Sequence, residues 1–142
     1  MKGIKDRDLE EKLTKGLNKE QKQAVLHDKG PLLILAGAGS GKTRVITHRI
    51  AYLVNVRKID PYRILAITFT NKAAKEMKTR IEELIGENVN SIWVGTFHSM
   101  LVRILRKHID KLGFSSSFTI IDSDEQQRVI KKCIESLNLD EK

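Results

Sequence analysis

The chain has 142 residues, enough for one domain with a modest core, and its 40% hydrophobic and 31% charged content is that of a soluble globular protein. Lys and Arg outnumber Asp and Glu by 26 to 18, a net charge of +8, which makes an acidic polymer such as nucleic acid a reasonable partner without requiring one. The single cysteine, Cys133, excludes an intramolecular disulfide and a cysteine-based zinc cluster, and the longest apolar run is far too short to span a bilayer.

Residues 1–16 read as a charged lead-in, in which Ile4, Leu9, Leu13 and Leu17 mark a weak helical stripe and the extreme end is expected to fray. The opening six residues lack the apolar run of a signal peptide, so a reducing, cytoplasmic setting is expected. Asn18-Lys19-Glu20-Gln21 predicts a cap and a helix through about His27, which Gly30-Pro31 ends. Residues 32–36 are an apolar strand candidate, and they run directly into a glycine-rich turn that closes on Gly41-Lys42-Thr43.

That turn has the composition of a phosphate-binding loop. A triphosphate brings several negative charges, and backbone N–H groups at the positive end of a helix hold them without needing a side chain for each. The segment Ala36, Gly37, Ala38, Gly39, Ser40, Gly41, Lys42 and Thr43 supplies such amides, with glycines where a Cβ would obstruct curling or close approach. Lys42 offers a mobile positive charge to the β- and γ-phosphates, and the Thr43 hydroxyl can ligate the Mg²⁺ that bridges them, making these two the candidate catalytic groups. Ala36 stands where the usual pattern begins with glycine, which is acceptable if φ stays negative. The competing reading is an ordinary glycine-rich turn with an incidental Lys-Thr; a predicted strand before and helix after favour phosphate binding.

Helix is expected from about Lys42 to Val56, with Val45, Ile46, Ile50, Leu53 and Val54 at helical spacing, and Asp60-Pro61 marks the next turn. Ile64 to Thr68 is a second strand, apolar enough to be covered on both faces. A helix from Asn71 to Ile85 follows, then a short strand over Ser91 to Val94, a helix from Phe97 to about Leu112, and a fourth strand over Phe118 to Ile121. Ser123 to Gln126 reads as a capping box opening a last helix, on whose stripe Val129, Ile130, Ile134 and Leu137 place Cys133 as a buried thiol. Alternating strands and helices imply an α/β fold with a parallel sheet flanked by helices.

Three further segments, taken with the loop, resemble the N-terminal part of the UvrD/Rep/PcrA family of superfamily 1 DNA helicases, over most of the chain from about Leu17. Leu17 to Val25 is similar to the family's Q motif, in which the glutamine matching Gln21 recognises adenine; the same residue also sits where its side chain can simply close a capping box with Asn18. Thr68 to Met77 resembles motif Ia, which implies that Phe69 stacks on a base and that Thr70 and Asn71 lie near a phosphate, against the plainer reading of a core Phe and a helix cap. Gly95-Thr96-Phe97-His98-Ser99 resembles an element along the single-stranded DNA path, which implies DNA contacts for Thr96, His98 and Ser99; no other His or Cys at ligand spacing makes His98 a metal candidate. Arg44 matches a family position close to the nucleotide. Arg103, Arg106, Lys107 and Lys111 read as a solvated helix face.

The resemblance implies a P-loop NTPase (RecA-like) domain, here partial, over 17–121, with 122–142 as the helix starting the next subdomain. It further implies ATP and Mg²⁺ as cofactors, single-stranded DNA and the remainder of the helicase motor as partners, 3′ to 5′ polarity, a monomer and no membrane. Hydrolysis also needs an acidic pair at a strand end and arginines for the developing charge, which the family carries in later segments. Asp122, Asp124 and Glu125 imitate that pair, but Ser123 separates them and a helix N-terminus explains them. Weak ATP binding, weak DNA binding and little or no unwinding are therefore expected of this chain alone. A small P-loop kinase would need an arginine-bearing lid, for which there is no clear candidate; a basic nucleotide- or nucleic-acid-binding module without turnover is the third reading.

Overall fold

The computed structural model describes residues 4–138. The expected fraying at the extreme N-terminus, and residues 139–142 of the closing segment, lie outside the described residues. The described residues form two compact units, one ending at Met100 and the other beginning at Leu101.

The first unit contains helices α1 (Ile4–Thr14), α2 (Lys19–Leu26) and α3 (Lys42–Asn55), strand β1 (Leu65–Thr68), helix α4 (Asn71–Ile85), strand β2 (Trp93–Thr96) and the first turn of α5 (Phe97–His108). Short 3-10 turns, Pro61–Arg63 and Gly86–Ser91, precede the two strands. The charged lead-in is therefore largely helical, and Leu13 from α1 joins the core.

Helix α3 is the hub. Val45, Thr47, Ile50, Ala51, Tyr52 and Val54 are all buried, covering far more than one stripe, because α1, α2 and α4 each pack against it. Polar ties close the same contacts: His48 Nδ1 donates to the Leu13 carbonyl at 2.6 Å, which requires the Nδ1–H tautomer, and Asn55 Nδ2 donates to the Leu84 carbonyl at 3.3 Å. After α3, Arg57 pairs with Asp28; its hydrogen bond to the Tyr52 hydroxyl oxygen and then the Asp28 carboxylate raise its pKa, so it stays charged.

Strands β1 and β2 pair in parallel, Leu65 opposite Trp93 and Thr68 opposite Thr96, with α4 as the crossover between them. This register brings the carboxyl ends of both strands to one edge, where α4 and α5 begin. In open α/β sheets that edge is where ligands bind.

Of the four expected strands, two are formed among the described residues. The apolar run at 32–36 has no ladder partner, and its Leu33 and Leu35 side chains are 81% and 86% exposed. Residues 118–121 likewise form no strand, and Ile120 and Ile121 are exposed. A strand needs a neighbour for its N–H and C=O groups, and neither segment has one here. The third predicted strand is displaced by two residues, to Trp93–Thr96, because Ser91 closes the preceding 3-10 turn. The observed fold is thus helix-rich with a two-stranded parallel sheet, consistent with an incomplete α/β domain.

In the second unit α5 continues to His108, a 3-10 turn (Ile109–Leu112) ends at Gly113, and α6 covers Ser123–Ser136. The α6 capping box is Asp122 with Glu125, one residue earlier than expected, since Asp122 Oδ1 accepts from the Asp124 and Glu125 amides at 3.0 and 2.9 Å. Arg106 does more than face solvent: it donates to the Ser116 and Phe118 carbonyls and lies 4.8 Å from the Phe118 ring centroid. Cys133 is exposed, contrary to expectation, together with Val129, Ile130 and Leu137. Helical spacing establishes that these residues share a face; it does not establish that something covers it.

Candidate functional site

The glycine-rich turn delivers the chain into α3 with Gly41 as the N-cap, in the left-handed region at φ +86° and without a capping side chain. Gly39 also has positive φ, at +75°, whereas Gly37 does not. Val45 N–H donates to the Gly41 carbonyl at 3.0 Å, so the helical ladder starts there. The amides of Lys42, Thr43 and Arg44 carry no partner among the described residues, as expected for a first turn with no capping side chain.

The Lys42 side chain is exposed and folds back over the turn, donating to the Ala36 and Gly37 carbonyls at 2.9 and 2.7 Å. Ser40 Oγ donates to the same Gly37 carbonyl at 2.7 Å. The ammonium therefore already lies across the concave side of the loop. The Thr43 hydroxyl makes no hydrogen bond among the described residues, which leaves an oxygen available to a hard cation. Arg44 is exposed, and its guanidinium lies beside Gly16. Ala36, Ala38 and Ser40 line the exposed part of the turn.

Gln21 joins this loop from α2. Its Oε1 accepts from the Asn18 N–H at 3.1 Å, its own N–H donates to Asn18 Oδ1 at 2.8 Å, and its Nε2 donates to the Ser40 carbonyl at 3.1 Å. The first two bonds complete the capping box that the spacing predicts. The third was not legible, because it joins residues 19 apart. A cleft of about 250 Å³ lies between these parts, lined among others by Asn18, Gln21, Ile34, Ala36, Ser40 and Lys42. A larger open groove of about 430 Å³ runs along α4 between Lys72, Lys75, Glu76, Thr79, Arg80 and Glu83, but it is a solvated face of mixed charge, away from the loop.

A second group of residues gathers at the carboxyl edge of the sheet. Phe69 is 93% exposed among the described residues. Thr70 is the N-cap of α4, its Oγ1 accepting from the Ala73 N–H at 3.1 Å, and Asn71 follows as the first helical residue. At β2 the hydroxyls of Thr96 and Ser99 close the turn into α5. Ser99 Oγ accepts from the Thr96 N–H at 2.9 Å and donates to the Thr96 carbonyl at 2.9 Å, while Thr96 Oγ1 accepts from the Ser99 N–H at 3.3 Å. Thr96 is buried; His98 and Ser99 remain exposed. Gly95 makes this turn possible, since a Cβ there would lie 2.6 Å from Ser99 Oγ and 2.3 Å from Met100 Cε. Gly95→Ala is expected to lower stability by about 1–3 kcal/mol, read as a fall in denaturation midpoint; an unchanged midpoint would mean that both side chains step aside freely.

No described helix is long and apolar enough to cross a membrane, and no group of three or more His, Cys, Asp or Glu residues among the described residues could hold a metal ion. A glycine turn opening a buried helix, beside a parallel strand-helix-strand unit, is an arrangement of α/β proteins. Residues 17–142 match the UvrD/REP helicase N-terminal domain, and the chain belongs to that family. It is 60% identical over 130 residues to the ATP-dependent DNA helicase PcrA of Staphylococcus epidermidis, and 56% identical over 126 residues to that of Staphylococcus aureus. These alignments cover 92% and 89% of this chain but 18% and 17% of the relatives, so the chain spans less than a fifth of their length.

Proposed function

We propose that this chain is the nucleotide-binding N-terminal portion of an ATP-dependent 3′ to 5′ DNA helicase, with the P-loop NTPase fold completed by other segments of such a protein. The observation that carries the reading is the cleft that Gln21 and Lys42 line together. It offers a purine-reading amide and a phosphate-reading ammonium on the two sides of one turn.

The capping and adenine-reading roles of Gln21 are compatible. An amide oxygen has two lone pairs and an amide nitrogen two hydrogens, of which Asn18 and Ser40 use one each. The remaining pair matches adenine, whose N6 donates and whose N7 accepts. The free amides of Lys42, Thr43 and Arg44, with those of the turn from Ala36 to Gly41, receive the phosphates, and Lys42 moves from the loop carbonyls to their oxygens. Thr43 would hold Mg²⁺, which neutralises charge on the β- and γ-phosphates. Arg44 stands one residue further on and adds positive charge to the start of α3.

Single-stranded DNA would follow the carboxyl edge of the sheet. Phe69 supplies an aromatic face, Thr70 and Asn71 the start of α4, and His98 and Ser99 the start of α5, with Thr96 holding that turn in shape. Phe69→Ala is expected to weaken binding of a short oligothymidine by about 1–3 kcal/mol, measured by fluorescence anisotropy at fixed salt, while leaving ATP affinity unchanged. Equal affinity in the variant would remove Phe69 from the DNA path.

Residues 17–121 would constitute the partial RecA-like part and 122–142 the entry to a further subdomain, as a monomer in the cytoplasm. The test is ATP binding and hydrolysis with and without single-stranded DNA, for this chain and for Lys42→Ala. DNA-stimulated turnover, or ATP binding alone, that is lost in the variant supports the reading. Transfer of phosphate to a small acceptor instead would make the chain a kinase.

A further inference from the structure

We propose that Arg49 is a positioning residue for base selection, holding α2 so that Gln21 meets the purine edge; this rests on the adenine-reading role proposed above. Arg49 lies on α3, about two turns beyond Lys42, and is half-buried. Its Nη1 donates to the carbonyls of Ala24, Val25 and His27 at 3.1, 3.3 and 2.7 Å. These are the carbonyls that the end of α2 leaves unsatisfied, and the positive guanidinium also complements the negative end of that helix.

Helix α2 has only eight residues, too few to be stable without tertiary support. Two polar ties attach it to the nucleotide loop and its helix. Gln21 bonds to the Ser40 carbonyl at the N-terminal end, and Arg49 gathers the C-terminal end. Between them Val25 is withdrawn into the core, with Ala24 and Leu26 packed against its edge. Without Arg49 the C-terminal end of α2 keeps its packing but loses its polar anchor, and the single bond from Gln21 to the Ser40 carbonyl must fix the helix axis alone, so Gln21 shifts with the helix. Hydrogen bonds to a base edge tolerate only a few tenths of an ångström, so the loss falls on base reading. The phosphate-facing amides belong to the turn and to α3, which Arg49 does not support by these bonds.

Base and phosphate recognition are thus separable by experiment. Equilibrium binding of Mg-ATP, Mg-GTP and inorganic tripolyphosphate would be measured for this chain, Arg49→Met, Arg49→Lys, Gln21→Ala and the Arg49→Met/Gln21→Ala double variant, each checked by circular dichroism. Arg49→Met is expected to weaken ATP by about tenfold, to bring the ATP-to-GTP preference down to that of Gln21→Ala, and to leave tripolyphosphate within about twofold. Arg49→Lys, which keeps the charge but lacks the planar fork, is expected to fall between, and it carries the test if Arg49→Met does not fold. The double variant should be no worse than Gln21→Ala alone. Parallel loss of tripolyphosphate and ATP would make Arg49 a plain structural support and overturn the inference. A preserved ATP-to-GTP preference in the Arg49 variants, with Gln21→Ala losing it, would overturn the inference alone. An unchanged preference in Gln21→Ala would remove the adenine reading and this inference with it.

Discussion

Lys42→Ala is expected to abolish the thermal stabilisation that Mg-ATP confers, while moving the melting temperature of the free protein little. In the free chain the ammonium is exposed and its two bonds, to the Ala36 and Gly37 carbonyls, compete with water, so their removal is worth at most about 1 kcal/mol. Against a phosphate the same group forms charge-assisted bonds worth about 1.5–3 kcal/mol, and losing them weakens affinity by about 10- to 150-fold. Ligand-induced stabilisation follows the ratio of ligand to Kd, so at a concentration near the parent Kd the shift disappears. Lys42→Arg is expected to restore the charge without the affinity, because a longer, planar guanidinium cannot take the place of a compact ammonium against the phosphate oxygens. A full ATP-induced shift in Lys42→Ala would mean that the nucleotide binds elsewhere, and scanning calorimetry with and without Mg-ATP decides it.

What the sequence revealed about this site was local. The Asn18–Gln21 capping box depends on residues three apart, and the structure forms it as the spacing predicts. The helix from Asn71 to Ile85 carries its own N-cap in Thr70 and its own apolar stripe in Met77, Ile81 and Ile85, and its bounds agree with expectation. Interactions that join distant residues were not legible. Gln21 to Ser40, Arg49 to the end of α2 and His48 to Leu13 each depend on how α1 and α2 lie on α3, which no periodicity encodes.

The two absent strands and the exposed thiol fail for a related reason. Hydrophobic character at 32–36 and at 118–121 indicates that a segment prefers burial, but a ladder exists only where another strand supplies hydrogen bonds. Ile64 to Thr68 has the same character and does become a strand, because Trp93–Thr96 lies beside it. Cys133 sits on an apolar stripe of α6 as expected, yet nothing among the described residues covers it. Phe69, for which the resemblance implies a base contact and composition a core position, is almost wholly exposed, as are Leu33 and Leu35 of the unpaired run.

Alanine at the three loop glycines is expected to give graded effects that reveal where the phosphates lie. Gly41 is the most constrained. Its φ of +86° costs an L-residue about 1–2 kcal/mol, and a Cβ there would stand 2.9 Å from Gln21 Nε2, pushing the amide away from the Ser40 carbonyl. With about 1 kcal/mol for that bond, keeping this turn costs Gly41→Ala about 2–3 kcal/mol, and a turn that relaxes to escape the cost must regain the conformation on binding, so ATP affinity falls by up to roughly 30- to 150-fold. Gly39 has φ +75° but open space around its Cβ position, so Gly39→Ala bears the backbone cost alone. Gly37 has neither positive φ nor a neighbour within 4 Å, so Gly37→Ala should leave the melting temperature of the free protein unchanged. Any ATP affinity lost in Gly37→Ala must then come from contact with the ligand itself, since the free fold offers no other source. If Gly41→Ala binds ATP as well as the parent chain does, the turn does not hold the nucleotide in this conformation, and the coupling of Gln21 to the phosphate loop has no role in binding.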